Sequence, residues 1–362
     1  MRHMTVKNKI DNYSEPNTVC NIQIIITIKM GIRNLNSFLR DNASSAIKFI
    51  NVADMSGKKI AVDISIYMYK FASDDSLIEN MYLMLSVFRH YNIIPIFVFD
   101  GKPPSEKREL LIKRREDKKE AEEEYYRLKQ LLENNQNMDE ADKLDIISNM
   151  DNLKRKFVCV NRSDTEAVKS LIRACGATYC DAPGEADELC AILAVKGKVW
   201  ACLSEDMDMF VYGCPRVVRY LSLLNHTAVL YDTRKILEIL DVTQTELREI
   251  CILSGTDYNR VNGDSKNAPT LYETLKHFKK YRKDKTELGF YDWLIEKTHY
   301  IQDYDILKRI NSMFDFSRAD LNLNKFEDIR IANGITDRDE IATILRTDGF
   351  IFPPRNKICM RF

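Results

Sequence analysis

The chain has 362 residues, is 45% hydrophobic and carries 54 basic and 54 acidic side chains. It is long enough to bury a sizeable core, and its zero net charge excludes recognition of a polyanion by bulk charge, so any nucleic-acid surface must be a local patch. Nine cysteines, odd in number and without a C-x-x-C pair, exclude a disulfide scaffold and point to a reducing compartment, and five scattered histidines give no support to a zinc site or a His-based triad.

Residues 1–29 hold one apolar run, Ile22 to Ile28 with Gln23 inside it. It is far shorter than the ~20 residues a membrane span needs, and no cleavage site follows it. The expectation is an extension ahead of a natural start at Met30. Three β-branched runs then end on acids: Lys59-Ile60-Ala61-Val62-Asp63, Ile93 to Asp100, and Val199 to Asp206. Helical patterns over Leu77 to Tyr91, Thr165 to Cys175 and Ala186 to Lys196 lie between them. Strand alternating with helix predicts an α/β fold with a mostly parallel central sheet, whose ligands gather beyond the carboxyl ends of the strands.

Between Gly101 and Lys156 the sequence becomes charged and helix-forming, with Lys113-Arg114-Arg115, then Glu120 to Glu124, and a break at Asn134-Asn135. A solvated helical hairpin laced by i,i+4 ion pairs and a helical arch over a site are both consistent with it. From Glu246 the chain is largely helical to about Ser312. The last fifty residues, with a capping signal at Thr336 or Asp337 ahead of Glu340 and a Pro353-Pro354 pair, are expected to form a small appendage. The domain reading is an extension over 1–29, a first region over 30–135 with the charged insertion at 101–156, a second over 157–280, and an appendage over 281–362.

Seven carboxylates stand out: Asp63, Asp100, Glu185, Asp187, Asp206, Asp208 and Asp257. Any one of them alone reads as well as a helix N-cap. Together they make a set that would repel itself without a counter-charge, and hard divalent cations prefer such oxygen donors. Two ions roughly 3.5–4 Å apart can activate water and stabilise the leaving oxygen of a phosphodiester displacement. Glu185 and Asp187 fall in the first turn of an expected helix, where they would point about 200° apart. Asp206 and Asp208, if the chain is extended there, share a face. Lys107 and Arg114, seven residues apart on a helix, stack on one face and could reach one phosphate.

Six segments are in the order of a known set of motifs: Met30-Gly31-Ile32-Arg33-Asn34-Leu35, Ala61 to Tyr69, Phe99-Asp100-Gly101-Lys102-Pro103-Pro104, Asp181 to Asp187, Glu205-Asp206-Met207-Asp208 and Gly255-Thr256-Asp257-Tyr258. Over about residues 30–280 the chain resembles the flap endonuclease and XPG–Rad2 family of structure-specific 5′ nucleases. The resemblance implies a PIN-like sheet with a helical arch and a helical DNA-binding hairpin at about 245–280. It implies two Mg2+ ions, with Mn2+ as a substitute. Asp63, Asp100, Glu185 and Asp187 would organise one ion, and Asp206, Asp208 and Asp257 the other. Lys107 and Arg114 would assist at the scissile phosphate, Tyr69 would stack on a base, and Gly31 and Gly263 would lie against the DNA. A DNA flap or junction is the implied partner, a nucleus the implied compartment and a monomer the expected state.

The chain departs from the family pattern in three places. Position 187 is Asp where Glu is usual, one methylene shorter. The expected Gly-x-Gly hairpin reads Val261 to Ala268, with Ser265 and Asp264 in unfavourable places, so a K+ site is doubtful. No clamp-binding peptide ends the chain, so sliding-clamp binding is not supported. These absences fit a divergent lineage such as that of a large DNA virus. The competing readings are a related single-strand or RNA nuclease, a catalytically silent DNA-binding scaffold, and a phosphatase, which would need a D-x-D that Asp63-Ile64-Ser65 lacks.

Overall fold

A computed structural model describes residues 32, 34–134, 139–259, 269–301, 303–316 and 329–351. Gly31, Gly263, the extension over 1–29 and Pro353-Pro354 lie outside the described residues. Seven strands form one sheet: β1 (Ile47–Asn51), β2 (Lys59–Asp63), β3 (Ile94–Phe99), β4 (Thr178–Asp181), β5 (Ala201–Leu203), β6 (Arg216–Ser222) and β7 (Thr227–Asp232). Their order is β1-β7-β6-β5-β2-β3-β4. The five strands from β6 to β4 run parallel, while β7 pairs antiparallel with both β6 and β1. The mostly parallel sheet expected from the sequence is therefore present, extended by a β6–β7 hairpin and an edge strand that the acid-terminated runs did not reveal.

Helices cover both faces, which is why the central strands read as continuous apolar runs. α1 (Leu35–Asn42), α7 (Ala186–Val195) and α10 (Gln244–Leu253) pack on one side, and α2 (Ile64–Ser73), α3 (Leu77–His90) and α6 (Arg162–Ala174) on the other. Alternation along β2 divides its side chains accordingly: Ala61 enters the first core, Ile60 and Val62 the second. β3 does the same with Ile96 and Val98 against Phe97 and Phe99. Short helices α8 (Asp208–Val211) and α9 (Thr233–Leu240) flank β6 and β7.

The charged insertion forms α4 (Arg108–Asn134) and α5 (Glu140–Phe157). At 1.5 Å per residue α4 is about 40 Å long. Of its side chains only Ala121 is buried, and Tyr125 packs on Phe157 with ring centroids 5.4 Å apart, joining the body of α4 to the last residue of α5. Beyond the sheet, α11 (Leu271–Asp284), α12 (Phe290–Lys297) and α13 (Tyr304–Met313) stack on α10 through Phe278, Phe290, Trp293 and Ile310.

The C-terminal segment does more than append. α14 (Arg338–Thr347) begins at Asp337, whose carboxylate accepts from Asp339 N and Glu340 N, so Asp337 rather than Thr336 is the cap. Ile341 and Leu345 of α14 enter the core beside α3 and α6. Gly334 N donates to Gly176 O at 2.6 Å and Asn333 Nδ2 to Ile93 O at 2.9 Å, which seats this segment at the amino ends of β3 and β4, opposite the acid rim. Gly176, at φ +70, admits that approach: a Cβ there would lie 2.7 Å from Ile335 O. All seven described cysteines are free thiols, and Cys190, Cys202, Cys214 and Cys251 are buried in the core.

Candidate active site

Because β2, β3 and β5 are parallel, their carboxyl ends share one rim, where Asp63 closes β2, Asp100 follows β3, and Asp206 lies three residues past β5. Asp63, Asp187, Asp206, Asp208 and Asp257 are each at most 7% exposed. Asp63 is at the N-cap position of α2 without a capping hydrogen bond; its carboxylate accepts instead from the Ser204 hydroxyl at 2.9 Å. Asp100 does cap a helix, but a distant one: its Oδ1 accepts from Ala186 N of α7 at 2.8 Å, while Oδ2 accepts from Ser65 Oγ. Gly101 N donates to Gly184 O at 2.7 Å, closing the end of β3 onto the turn that carries Glu185 and Asp187.

Two local expectations from spacing are overturned. Glu185 has extended backbone (φ −84, ψ 148) and precedes α7, so the 200° separation computed for two helical residues does not apply. Asp206 and Asp208 are not in extended chain either: Met207 is already helical (φ −78, ψ −14), and Asp206 Oδ1 accepts from Asp208 N at 2.9 Å, capping α8. Asp206 thus fulfils both readings, a cap and a member of the acid rim.

Lys107 lies in a 3-10 turn just before α4, not on the helix with Arg114, and the two cations meet different acids. Lys107 Nζ donates to Glu185 Oε1 at 2.7 Å and Arg114 to Asp257 Oδ2 at 2.8 Å. Lys107 is 6% exposed and its ammonium lies 4.8 Å from the centre of the Tyr258 ring. Tyr258 OH donates to Glu185 Oε2 at 2.6 Å, so one aromatic residue holds both members of the pair. Tyr69, 38% exposed on α2, is not core; Lys118 of α4 lies 4.9 Å over its ring.

The carboxylates act on one another. Burial, then the negative charge of Asp100, pushes Asp63 up to about 8 against the opposing hydrogen bond from Ser204. Asp187 is held well above the usual carboxylate range by burial and by Glu185, Asp206 and Asp63, although Lys107 opposes them. Asp206 is raised by burial and by Asp257. Burial alone would depress the Lys107 ammonium, but Asp187, Glu185 and Asp208 overcome it and keep it charged. Every donor on this rim is a hard oxygen, and the burial, with mutual repulsion added to it, that raises Asp63 and Asp187 is of the kind a divalent cation offsets, so the residues fit a hard ion. Among the described residues no three His, Cys, Asp or Glu side chains close into a ready-made cage. With Lys107 and Arg114 on Glu185 and Asp257, the acids form an open rim.

Sequence spacing missed Ser65, Ser204, Tyr258, Glu205 and Arg219. Ser204 and Glu205 are within two residues of Asp206, and Tyr258 adjoins Asp257, so closeness in sequence was a usable signal for them. Arg219, from β6, had none.

The XPG N-terminal domain profile matches residues 30–121 and the XPG I-region profile residues 176–257. Flap endonuclease 1 of Zea mays is 32% identical over 248 residues, covering 63% of this chain and 62% of that protein. Flap endonuclease 1 of Xenopus tropicalis is 32% identical over 247 residues, covering 63% and 61%. The chain thus matches about three-fifths of the length of these relatives. The catalytic core of Rad2 in complex with DNA substrate superposes with a TM-score of 0.59 at 21% identity, over 88% of this chain and 95% of that one. Flap endonuclease-1 from Methanococcus jannaschii gives 0.53 at 23% identity, over 83% and 90%. These two likenesses establish the shared α/β fold.

Proposed function

We propose, for a chain that belongs to the flap endonuclease and XPG–Rad2 family, that it is a divalent-metal-dependent, structure-specific 5′ nuclease hydrolysing DNA phosphodiesters at flaps or single-strand/duplex junctions. The observation that carries the reading is the carboxylate rim, with Asp63, Asp187, Asp206, Asp208 and Asp257 buried, Glu185 half-buried and Asp100 exposed, and with Lys107 and Arg114 paired onto two of its members. A phosphate entering the rim would meet both cations, each within one side chain's reach of an acid it can exchange for a phosphate oxygen. Magnesium, two ions per chain, is the proposed cofactor: Asp63, Asp100, Glu185 and Asp187 would hold one ion and Asp206, Asp208 and Asp257 the other. When bound, such ions supply an activated water and charge stabilisation at the leaving oxygen.

The residues of the chain do the rest. Lys107 stays protonated among acids and is therefore available to offset charge developing on the phosphate. Tyr258 keeps Glu185 and Lys107 in register. Tyr69, exposed beneath Lys118 of the helical hairpin, offers a ring face to an unpaired base. Replication, repair or recombination in a nucleus, as a monomer, is the proposed setting.

Single-turnover cleavage of a 5′-labelled double-flap DNA, with Mg2+ and with excess chelator, beside blunt duplex and single strand, tests this. Magnesium-dependent release of a short fragment from the flap alone is expected. Binding without cleavage would instead identify a silent DNA-binding scaffold.

A further inference from the structure

The turn that carries Asp206 and Asp208 also carries Glu205, an acid no role above absorbs. Burial raises Glu205 against the opposing effect of Arg219. Arg219, 6% exposed, reaches into this turn from β6 with its whole guanidinium. One terminal nitrogen donates to Glu205 O at 2.8 Å; the other donates to Met207 Sδ at 2.7 Å and to Asn36 Oδ1 of α1 at 3.1 Å. Nε lies 3.5 Å from Glu205 Oε2, an ion pair without a hydrogen bond. The two residues gripped, 205 and 207, are the neighbours of Asp206 on either side.

The strand that delivers Arg219 is deformed immediately after it. The β6–β7 register shifts between Arg219 and Ser222, and Tyr220 has φ +55, a left-handed conformation disfavoured for any residue with a Cβ. Contacts to the same network hold it there. Tyr220 N donates to Glu205 Oε1 at 2.6 Å, its hydroxyl accepts from Asn36 Nδ2 at 2.8 Å, and its ring contacts the guanidiniums of Arg219 and Arg40 at 4.8 and 5.3 Å. On its other side the turn is tied to β2, since Asp206 N donates to Ser204 Oγ at 3.1 Å and Ser204 Oγ donates to Asp63. With Arg219 buried and Glu205 half-buried, such an Arg–Glu pair is a poor source of stability compared with apolar packing of the same volume. What it supplies here is geometry, and strained backbone of this kind is found where geometry matters.

We propose that Arg219, with Glu205 and Asn36, is a positioning latch that fixes Asp206 and Asp208 at the spacing needed to accept a divalent ion. The inference rests on the nuclease reading above, and assigns Arg219 no contact with substrate.

The test uses the full chain as wild type, Arg219→Met, Arg219→Lys and Glu205→Gln. Mn2+ binding to the protein alone is followed by electron paramagnetic resonance, the Mg2+ dependence of single-turnover flap cleavage is measured alongside, and thermal melts report folding. Arg219→Met is expected to raise the half-saturating Mn2+ concentration by about 10–100-fold, the usual effect of removing a group that orients metal ligands. The Mg2+ concentration for half-maximal cleavage should rise by the same factor while the limiting affinity for DNA in Ca2+ stays within about twofold. Lysine, which keeps the charge but loses the fork, should fall between, and Glu205→Gln should shift the curve less than Arg219→Met does. Mn2+ curves that superimpose on wild type while melting temperatures fall would overturn the latch and leave Arg219 a structural residue. Should Arg219→Met fail to fold, superimposed curves for the lysine and glutamine variants decide the matter the same way. A wild type that binds no Mn2+ overturns the nuclease reading and the latch together; a wild type that binds it normally beside unchanged variants overturns the latch alone.

Discussion

Replacing Gly101 by alanine should damage the acid rim through backbone alone. A Cβ at position 101 would lie 2.0 Å from Ala182 O, 3.0 Å from Ala182 C and 3.0 Å from Gly184 O. These are main-chain atoms that no rotamer change can move aside, and ordinary carbon–oxygen contact requires a separation more than an ångström larger than the first. The β3 end and the 182–184 turn must therefore part by roughly 1 Å, breaking the 2.7 Å bond from Gly101 N to Gly184 O and stretching the cap from Asp100 to Ala186 N. Overpacking of this kind costs about 1–3 kcal/mol, and a lost hydrogen bond and a weakened cap about 1 kcal/mol each. A destabilisation of about 3–5 kcal/mol is expected, read from urea unfolding midpoints at unchanged slope. Displacing Asp100 from Glu185 and Asp187 by 1 Å should lower flap cleavage by about 10^2-fold even in protein that remains folded. Gly101→Ala with a wild-type midpoint and wild-type rate would refute the argument that this close approach sets the rim.

Asp206→Ala should reduce cleavage by at least about 10^2-fold while leaving the melting temperature near wild type, because relief of repulsion from Asp257 offsets the lost cap on α8; single-turnover assays and thermal melts measure both. Lys107→Ala should slow the single-turnover rate more than it raises the Kd for flap DNA measured in Ca2+. Tyr258→Phe removes a bond to a carboxylate, worth about 1.5–3 kcal/mol, and should slow cleavage by about tenfold or more without a comparable change in that Kd. Glu249 is pushed by burial, and then by Glu246 and Asp292, from 4.5 to about 7. Since its pKa is raised on folding, the folded state holds the proton more tightly, and stability should fall as pH rises from about 4.5 to about 7. Glu249→Gln should abolish that fall and be the more stable protein at pH 8 by up to about 3 kcal/mol, as urea midpoints at pH 5 and pH 8 would show.

The central architecture was legible in the sequence because parallel strands covered on both faces must be apolar along their length: Lys59–Asp63 reads as a strand and forms one with those limits. Parallel strands also oblige the acids at their ends to share a rim, so the sequence alone groups Asp63, Asp100 and Asp206. Local conformation was less legible. The spacing of Asp206 and Asp208 says nothing of the turn between them, and that of Glu185 and Asp187 does not locate the first helical residue, where one residue's shift turns a side chain by about 100°.

What only the tertiary structure decided depends on contacts between residues distant in the chain. Lys107 finds Glu185 across 78 positions, Arg114 finds Asp257 across 143, and Asn36 lies 183 positions from Arg219. No periodicity encodes such pairs. Whether a buried acid caps a helix, joins a charged rim or anchors a cation is fixed by which groups folding brings within hydrogen-bond reach, because desolvation makes each buried charge depend on its immediate neighbours.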